Sequence, residues 1–151
     1  LGAKSIEFLD FPDNRMDSVD LLDVIKHIEK KVNQIKPTVL ITHHIGDLNI
    51  DHLIIHKAVM TACRPEVHKS VKKILTFEVN SSTEWNSPGS NDFSPNLFID
   101  ITNFIEQKLT ALSYYESEMR KEPHPRSIEG VKNLAKLRGY SVGLDYAESL
   151  W

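Results

Sequence analysis

The run TVLIT, from Thr38 to Thr42, most constrains the fold of this 151-residue chain. It is short, apolar at its centre and rich in β-branched residues, which is typical of a strand covered on both faces of a parallel sheet. Segments with helical spacing lie on either side of it, and a second strand-like run follows at Ile74 to Val79. This alternation predicts an α/β fold with helices packed on a mainly parallel sheet.

The first part of the chain is predicted to supply a strand and a long helix. A strand is expected from Ser5 to Phe11, ending at Pro12. Apolar residues then recur at helical spacing from Val19 to Ile35. This helix is expected to be capped by Asp17 or Ser18 and stopped by Pro37. With Thr38 to Thr42, these elements predict a parallel strand–helix–strand crossover.

The rest of the chain continues the alternation around one long loop. Residues 81–95 are rich in Ser, Asn, Pro and Gly, which indicates a surface loop. The other predicted elements are a helix from Asp51 to Arg64, a strand from Leu97 to Ile101, a helix after the cap Thr102, and a helix closed by Gly139.

Charge and cysteine usage limit the classes of function. With a formal net charge of −3 and lysines scattered among acids, the chain gives no electrostatic reason to expect nucleic acid as a partner. Its single cysteine, Cys63, cannot form an internal disulfide, which favours a reducing compartment, and a cytoplasmic protein is expected. Cys63 lies among apolar neighbours and is predicted to be packed rather than nucleophilic. No apolar run has the length of a membrane span.

Ionisable side chains are concentrated directly after the TVLIT run, where residues 43–52 read HHIGDLNIDH. In an open parallel sheet, ligands bind at the carboxyl ends of the strands, where each loop leads into the next helix. Asp47, Asn49, Asp51 and His52 fall at alternate or adjacent positions, so their short polar groups can converge from one turn. The functional site is therefore predicted here.

The hexapeptide DLNIDH at residues 47–52, preceded by Thr42 and His43, resembles the second signature of the LmbE/PIG-L-like de-N-acetylases, D-x-(H or N)-x-D-H. Other segments agree with that family in order: FLDFPD at residues 8–13, HPRS at 124–127, RG at 138–139 and YAE at 146–148. The resemblance spans nearly the whole chain. It implies a Rossmann-like, three-layer α/β/α fold and zinc-dependent hydrolysis of acetamides on N-acetylglucosamine-type sugars.

The first signature of that family, a His-Pro-Asp-Asp-Glu run, does not occur in these residues. By resemblance, that run supplies the other two zinc ligands and the catalytic base. We therefore expect residues 1–151 to form a single, N-terminally truncated domain of this family that lacks its first strand–helix unit. Such a fragment is expected to be inactive alone, with the further zinc ligands in the absent segment.

His52 is the predicted zinc ligand, because the family motif ends in a ligand histidine at this position. From the residues alone, Asp51 and His52 could equally form a capping pair at a helix start. His52 and His56 also make an H-x-x-x-H pair on one helix face. The zincin pattern, however, needs glutamate where Leu53 stands, so His56 is predicted to be a helix-face residue.

Asn49 and Asp51 are the predicted catalytic residues. By resemblance, Asn49 replaces a histidine that stabilises the oxyanion, and its amide could donate to that charge; a turn residue is the alternative. Asp51 and Asp47 could orient neighbouring histidines or cap the loop. The predicted substrate contacts are His43, Asp47 and Arg126, although Arg126 could equally be a surface arginine.

The predicted function is therefore removal of an N-acetyl group from an N-acetylglucosamine-type conjugate. Zinc is the expected cofactor, and an N-acetylated amino sugar or glycoconjugate is the expected partner. The alternative is a non-catalytic, truncated remnant that keeps a sugar pocket without metal. An unrelated nucleotide-binding module is disfavoured, because no glycine-rich phosphate loop follows any strand. Self-association into a homo-oligomer is left open.

Overall fold

The computed structural model describes residues 2–66, 69–89 and 91–151. The α/β class is confirmed, since helices alternate with strands along most of the chain. The chain divides into two compact units: the motif unit, Leu9–Phe93 with Trp151, and the C-terminal unit, Ser94–Leu150 with the residues up to Phe8. The elements are α1 (Leu21–Ile35), β1 (Val39–His43), α2 (Ile50–Ala62), β2 (Lys73–Phe77), β3 (Leu97–Asp100), α3 (Ile105–Ser113), α4 (Ile128–Tyr140) and β4 (Ala147–Leu150).

The first helix of the motif unit confirms the predicted apolar spacing but not the predicted cap. Its N-cap is Asp20, because Met16–Ser18 form a short 3-10 turn and the Ser18 hydroxyl donates to the carbonyl of Arg15 at 2.7 Å. The helix ends at Lys36, which adopts a left-handed conformation with φ 53° just before Pro37. The sequence thus predicted the end of α1 better than its beginning.

Strands β1 and β2 pair in parallel, in register from Val39 against Lys73 to His43 against Phe77. Helix α2 connects them, so β1, α2 and β2 form a parallel strand–helix–strand unit. The sequence predicts this unit one step earlier along the chain, from Ser5–Phe11 through α1 to β1. The core of this unit packs α1 against α2, and its buried apolar residues are Met16, Val24, Ile25, Val32, Ala58, Val59, Ala62 and Cys63.

The strand predicted from Ser5 to Phe11 is wrong. This segment forms neither a helix nor a strand, and Ile6 and Phe8 are 74% and 88% exposed. Strand hydrogen bonds need a neighbouring strand, and among the described residues none pairs with this segment.

Strand β1 is an edge strand, and an open groove runs beside it. Val39 and Ile41 are 45% and 53% exposed. The groove has a volume of about 480 Å³ and an apolar lining that includes Leu9, Leu40 and Ile55. An apolar edge of this kind is a surface on which a further strand can pair.

In the C-terminal unit, β3 and β4 pair antiparallel, from Leu97 against Leu150 to Asp100 against Ala147. Ser127 caps α4 by accepting from the N–H of Gly130 at 2.9 Å, whereas α3 begins after Phe104 without a side-chain cap, so Thr102 does not cap it. The core of the unit consists of Ile105, Leu109, Val131 and Ala135. None of the described helices is long and apolar enough to cross a membrane.

Candidate functional site

The predicted site lies between β1 and α2, where a six-residue loop follows His43. Asn49 is the N-cap of α2, and its side-chain oxygen accepts from the N–H groups of Asp51 at 2.8 Å and His52 at 3.4 Å. This cap fixes the start of the helix and places His52 in its first turn. The capping role that the sequence offered for Asp51 is therefore performed by Asn49.

Asp47 is the centre of the site, and it is only 2% exposed. Its oxygens accept from the N–H of Asn49 at 2.9 Å, from Oγ1 of Thr83 at 3.0 Å, and from Oγ of Ser82. Burial alone would raise the pKa of this carboxyl, but the close His52 ring and hydrogen bonds from Ser82 and Asn49 outweigh it and hold the pKa below its usual value. Asp47 is thus an ionised acceptor with no surface to offer a substrate.

His52 faces Asp47 through one ring nitrogen. Its Nδ1 lies 2.9 Å from Oδ1 of Asp47, in a close but bent contact. The ring stacks on that of His43, with centroids 3.9 Å apart and an angle of 11° between the planes. The His52 side chain remains 22% exposed, so this residue reaches the surface while its Nδ1 is buried.

His43 is the uncharged neighbour in this stack. Burial, followed by repulsion from His52, lowers the pKa of His43 to about 4, so its ring is unprotonated at neutral pH. Its Nδ1 is buried and has no hydrogen-bond partner among the described residues. Its carbonyl lies 2.8 Å from Nδ1 of His56, which is 9% exposed on α2. His56 is therefore committed to the backbone of β1.

His44 anchors the long loop. It is fully buried, and its Nε2 donates to the carbonyl of Asn91 at 3.0 Å while its Nδ1 lies 3.3 Å from Oγ1 of Thr76. A side chain at Gly46 would bring its Cβ to 2.0 Å from that same Asn91 oxygen. Glycine is thus required where the two loops meet.

Asp51 and Asn49 are also tied to the segment before α1. The carboxylate of Asp51 accepts from the N–H groups of Asn14 at 2.6 Å and Met16 at 2.9 Å. The amide of Asn49 donates to Oδ1 of Asn14 at 3.1 Å. These contacts give Asp51 an anchoring role and use one of the two N–H groups of Asn49.

Arg126 belongs to the C-terminal unit, and its contacts in that unit are local. Its guanidinium donates to Glu118 at 2.6 Å, and its backbone N–H donates to Nδ1 of His124 at 3.1 Å. Its Nε is buried without a partner among the described residues. Within the motif unit, the structure brings together His43, Asp47, Asn49, Asp51 and His52 of residues 43–52, which we call the motif loop.

Sequence reasoning missed Ser82 and Thr83. The sequence places both only within a surface loop, yet each is 8% exposed and bonded to Asp47. One signal could have found them: two adjacent hydroxyl residues closely follow β2, and parallel neighbours such as β1 and β2 present their carboxyl ends at the same edge.

The residues of the site can supply one zinc ligand, His52, rather than a complete set of ligands. In the parts of the chain that the structure describes, no group of three or more His, Cys, Asp or Glu residues is placed to hold a metal ion. His52 nonetheless has the surroundings of a zinc-binding histidine, because its Nδ1 faces a carboxylate and its Nε2 remains for the metal.

Comparisons with known proteins give a family match and similar solved structures. Residues 1–63, which contain the motif loop, match the family model described as PIG-L: GlcNAc-PI de-N-acetylase. A crystal structure of a conserved protein from Thermus thermophilus matches 93% of this chain with a TM-score of 0.69 at 22% identity. The N,N'-diacetylchitobiose deacetylase from Pyrococcus horikoshii matches 99% of it with a TM-score of 0.65 at 20% identity.

These two structures confirm the predicted fold. The chain spans 61% of the length of the first and 57% of the second, so each contains a large part with no counterpart here.

Proposed function

We propose that this chain, whose residues 1–63 carry the PIG-L family match, forms part of a zinc-dependent hydrolase that removes the N-acetyl group from an N-acetylglucosamine-type conjugate. The substrate class follows the family description and the deacetylase activity in the name of the Pyrococcus relative. The observation that carries the proposal is the contact between Nδ1 of His52 and the buried carboxylate of Asp47. It leaves Nε2 of His52 to bind a metal.

The residues of the motif loop have distinct proposed roles. When bound, zinc supplies Lewis acidity toward the acetamide carbonyl and the attacking water. His52 holds the metal, Asp47 orients His52, and the unprotonated ring of His43 lines the site against the substrate. The second N–H of the Asn49 amide donates to the oxygen on which negative charge develops. Asp51 supports Asn49 by anchoring the segment before α1.

The remaining zinc ligands and the catalytic base are proposed to come from a strand–helix unit outside residues 1–151. Three observations support this: the described residues offer no complete ligand set, β1 is a bare apolar edge, and the solved relatives are longer. We propose that the two compact units belong to one such domain, which is inactive without that unit. Arg126 is proposed to contact the substrate. We also propose a reducing, cytoplasmic location, because the single cysteine cannot form an internal disulfide.

The experiment is an amine-release assay on N-acetylglucosamine derivatives, using the chain extended by its upstream coding sequence. We expect zinc-dependent release that is lost on chelation and abolished in His52→Ala. Asn49→Ala should lower kcat by roughly 10²–10³ if its amide is an oxyanion donor, and Asn49→His should be tolerated. Lys57→Ala, at an exposed residue of α2 outside the site, is the matched control.

Release that persists in His52→Ala would contradict the metal role. A protein that binds the sugar but contains no zinc and releases no amine would support the second candidate, a non-catalytic remnant. That candidate is favoured by the incomplete ligand set of the described residues.

A further inference from the structure

Two hydroxyl groups from the loop after β2 hold Asp47, and backbone donors fix their orientation. Oγ1 of Thr83 accepts from the N–H of Val79 at 2.7 Å and lies 3.0 Å from Oδ2 of Asp47. Oγ of Ser82 accepts from the N–H of Asn49 at 3.3 Å and contacts Oδ1 of Asp47. Because a backbone N–H can only donate, the single proton of each hydroxyl is left for the carboxylate.

The turn that carries these hydroxyls is fastened on both sides. The carboxylate of Glu84 accepts from the N–H groups of Ser81 at 2.5 Å and Ser82 at 3.2 Å. On the other side, the N–H of Leu48 donates to the carbonyl of Ser82 at 3.3 Å. The hydroxyls of Ser82 and Thr83 are therefore held against Asp47 because hydrogen bonds fix the backbone of the turn that carries them.

This arrangement determines what Asp47 can offer to His52. An ionised carboxylate only accepts hydrogen bonds, so the ring nitrogen beside it must carry the proton. Nδ1 of His52 is buried, and Oδ1 of Asp47 lies 2.9 Å away. A neutral histidine with its proton on Nδ1 has an unprotonated Nε2.

We infer that Ser82 and Thr83 are positioning residues that act through Asp47 to hold His52 in the tautomer protonated at Nδ1. The consequence for metal binding rests on the proposed function: with the proton fixed on Nδ1, Nε2 is presented as the donor that zinc requires. The loop after β2 thus sets the tautomer of His52, the proposed zinc ligand on α2.

The test is ¹⁵N NMR of this chain labelled at its seven histidines, recorded at alkaline pH, where the ring nitrogen shifts report the tautomer. In the wild type, we expect His52 to carry its proton on Nδ1. In the double variant Ser82→Ala, Thr83→Val, the Asp47 carboxylate loses the donors that orient it and can rotate away from Nδ1 of His52, so the His52 shifts should move toward the tautomer protonated at Nε2. Ser87→Ala, at an exposed residue of the same loop, should change nothing, and His27 is the internal reference.

Two further measurements separate positioning from general support of the loop. Thr83→Ser keeps the hydroxyl and should keep the wild-type tautomer. In the upstream-extended protein, zinc affinity, measured by competition with a chelator, should fall roughly ten-fold in the double variant. If that variant does not fold, Ser82→Ala alone should show a smaller shift of the same sign. An unchanged His52 tautomer in a folded variant would overturn the inference.

The outcomes also separate this inference from the proposed function. A tautomer change in the variants, with no amine release from the extended wild-type protein, would support the positioning role while refuting the hydrolase. Amine release with an unchanged His52 tautomer in the variants would refute the positioning role alone.

Discussion

At the residue scale, the site depends on a buried negative charge that its neighbours compensate. An isolated carboxylate is costly to bury, and Asp47 avoids that cost because a backbone N–H and two hydroxyls donate to it. The sequence could indicate Asp47 through its motif. It could not indicate Ser82 and Thr83, because they lie 35 and 36 residues further along the chain and only the fold brings them close.

Cys63 gives a prediction at the same scale. It is 8% exposed within the core of the motif unit, and burial raises the pKa of its thiol. A raised pKa leaves less of the reactive thiolate at neutral pH. We therefore expect Cys63 to react with a disulfide reagent such as Ellman's reagent much more slowly in the native chain than in guanidinium chloride.

Measuring both rates at the same pH, with free cysteine as the control, checks this expectation. Equal rates in native and denaturing conditions would mean that Cys63 is accessible, contrary to its position in the core. The packed role read from the sequence would then be wrong.

At the scale of elements, local sequence patterns correctly predicted the helices and strands that pack or pair with another described element. The apolar spacing of α1 and the β-branched run of β1 each correspond to an element that packs or pairs in the motif unit. The same reasoning failed for Ser5 to Phe11, because a strand pattern shows which residues can pair but not whether a partner strand is present. The cap predicted at Ser18 is wrong because its hydroxyl donates to the carbonyl of Arg15. The cap predicted at Thr102 is wrong because its hydroxyl accepts from the N–H of Tyr146 and not from α3.

The cap of α2 yields a prediction about an element. Asn49→Ala removes the acceptor for the N–H groups of Asp51 and His52, so it should lower the free energy of unfolding by about 1 kcal/mol. Asn49→Asp keeps an acceptor at the same place and should retain most of that stability. Urea unfolding, followed by circular dichroism, measures both variants.

Ser127→Ala, which removes the cap of α4, is the matched control for losing a helix cap away from the motif loop. Equal stability of wild type and Asn49→Ala would show that the cap does not hold the start of α2. His52 would then need another explanation for its position.

At the scale of the whole molecule, the described residues contain a partial site beside an open edge. His52 and Asp47 lie at the carboxyl end of β1, and the exposed edge of that strand borders an apolar groove. A strand added there would end near these residues, because parallel strands present their carboxyl ends at one edge. The fold and the incomplete ligand set could be predicted from the sequence. The contacts of Ser82 and Thr83 with Asp47 could not, because those distances depend on the final packing.

The most direct test of the central claim is the zinc content of the upstream-extended protein, measured by mass spectrometry after gel filtration, in the wild type and in two histidine variants. We expect stoichiometric zinc in the wild type, its loss in His52→Ala, and its retention in His56→Ala, because His56 is buried and bonded to the carbonyl of His43. Zinc retained in His52→Ala, or lost equally in both variants, would contradict the assignment of His52 as the ligand held by Asp47.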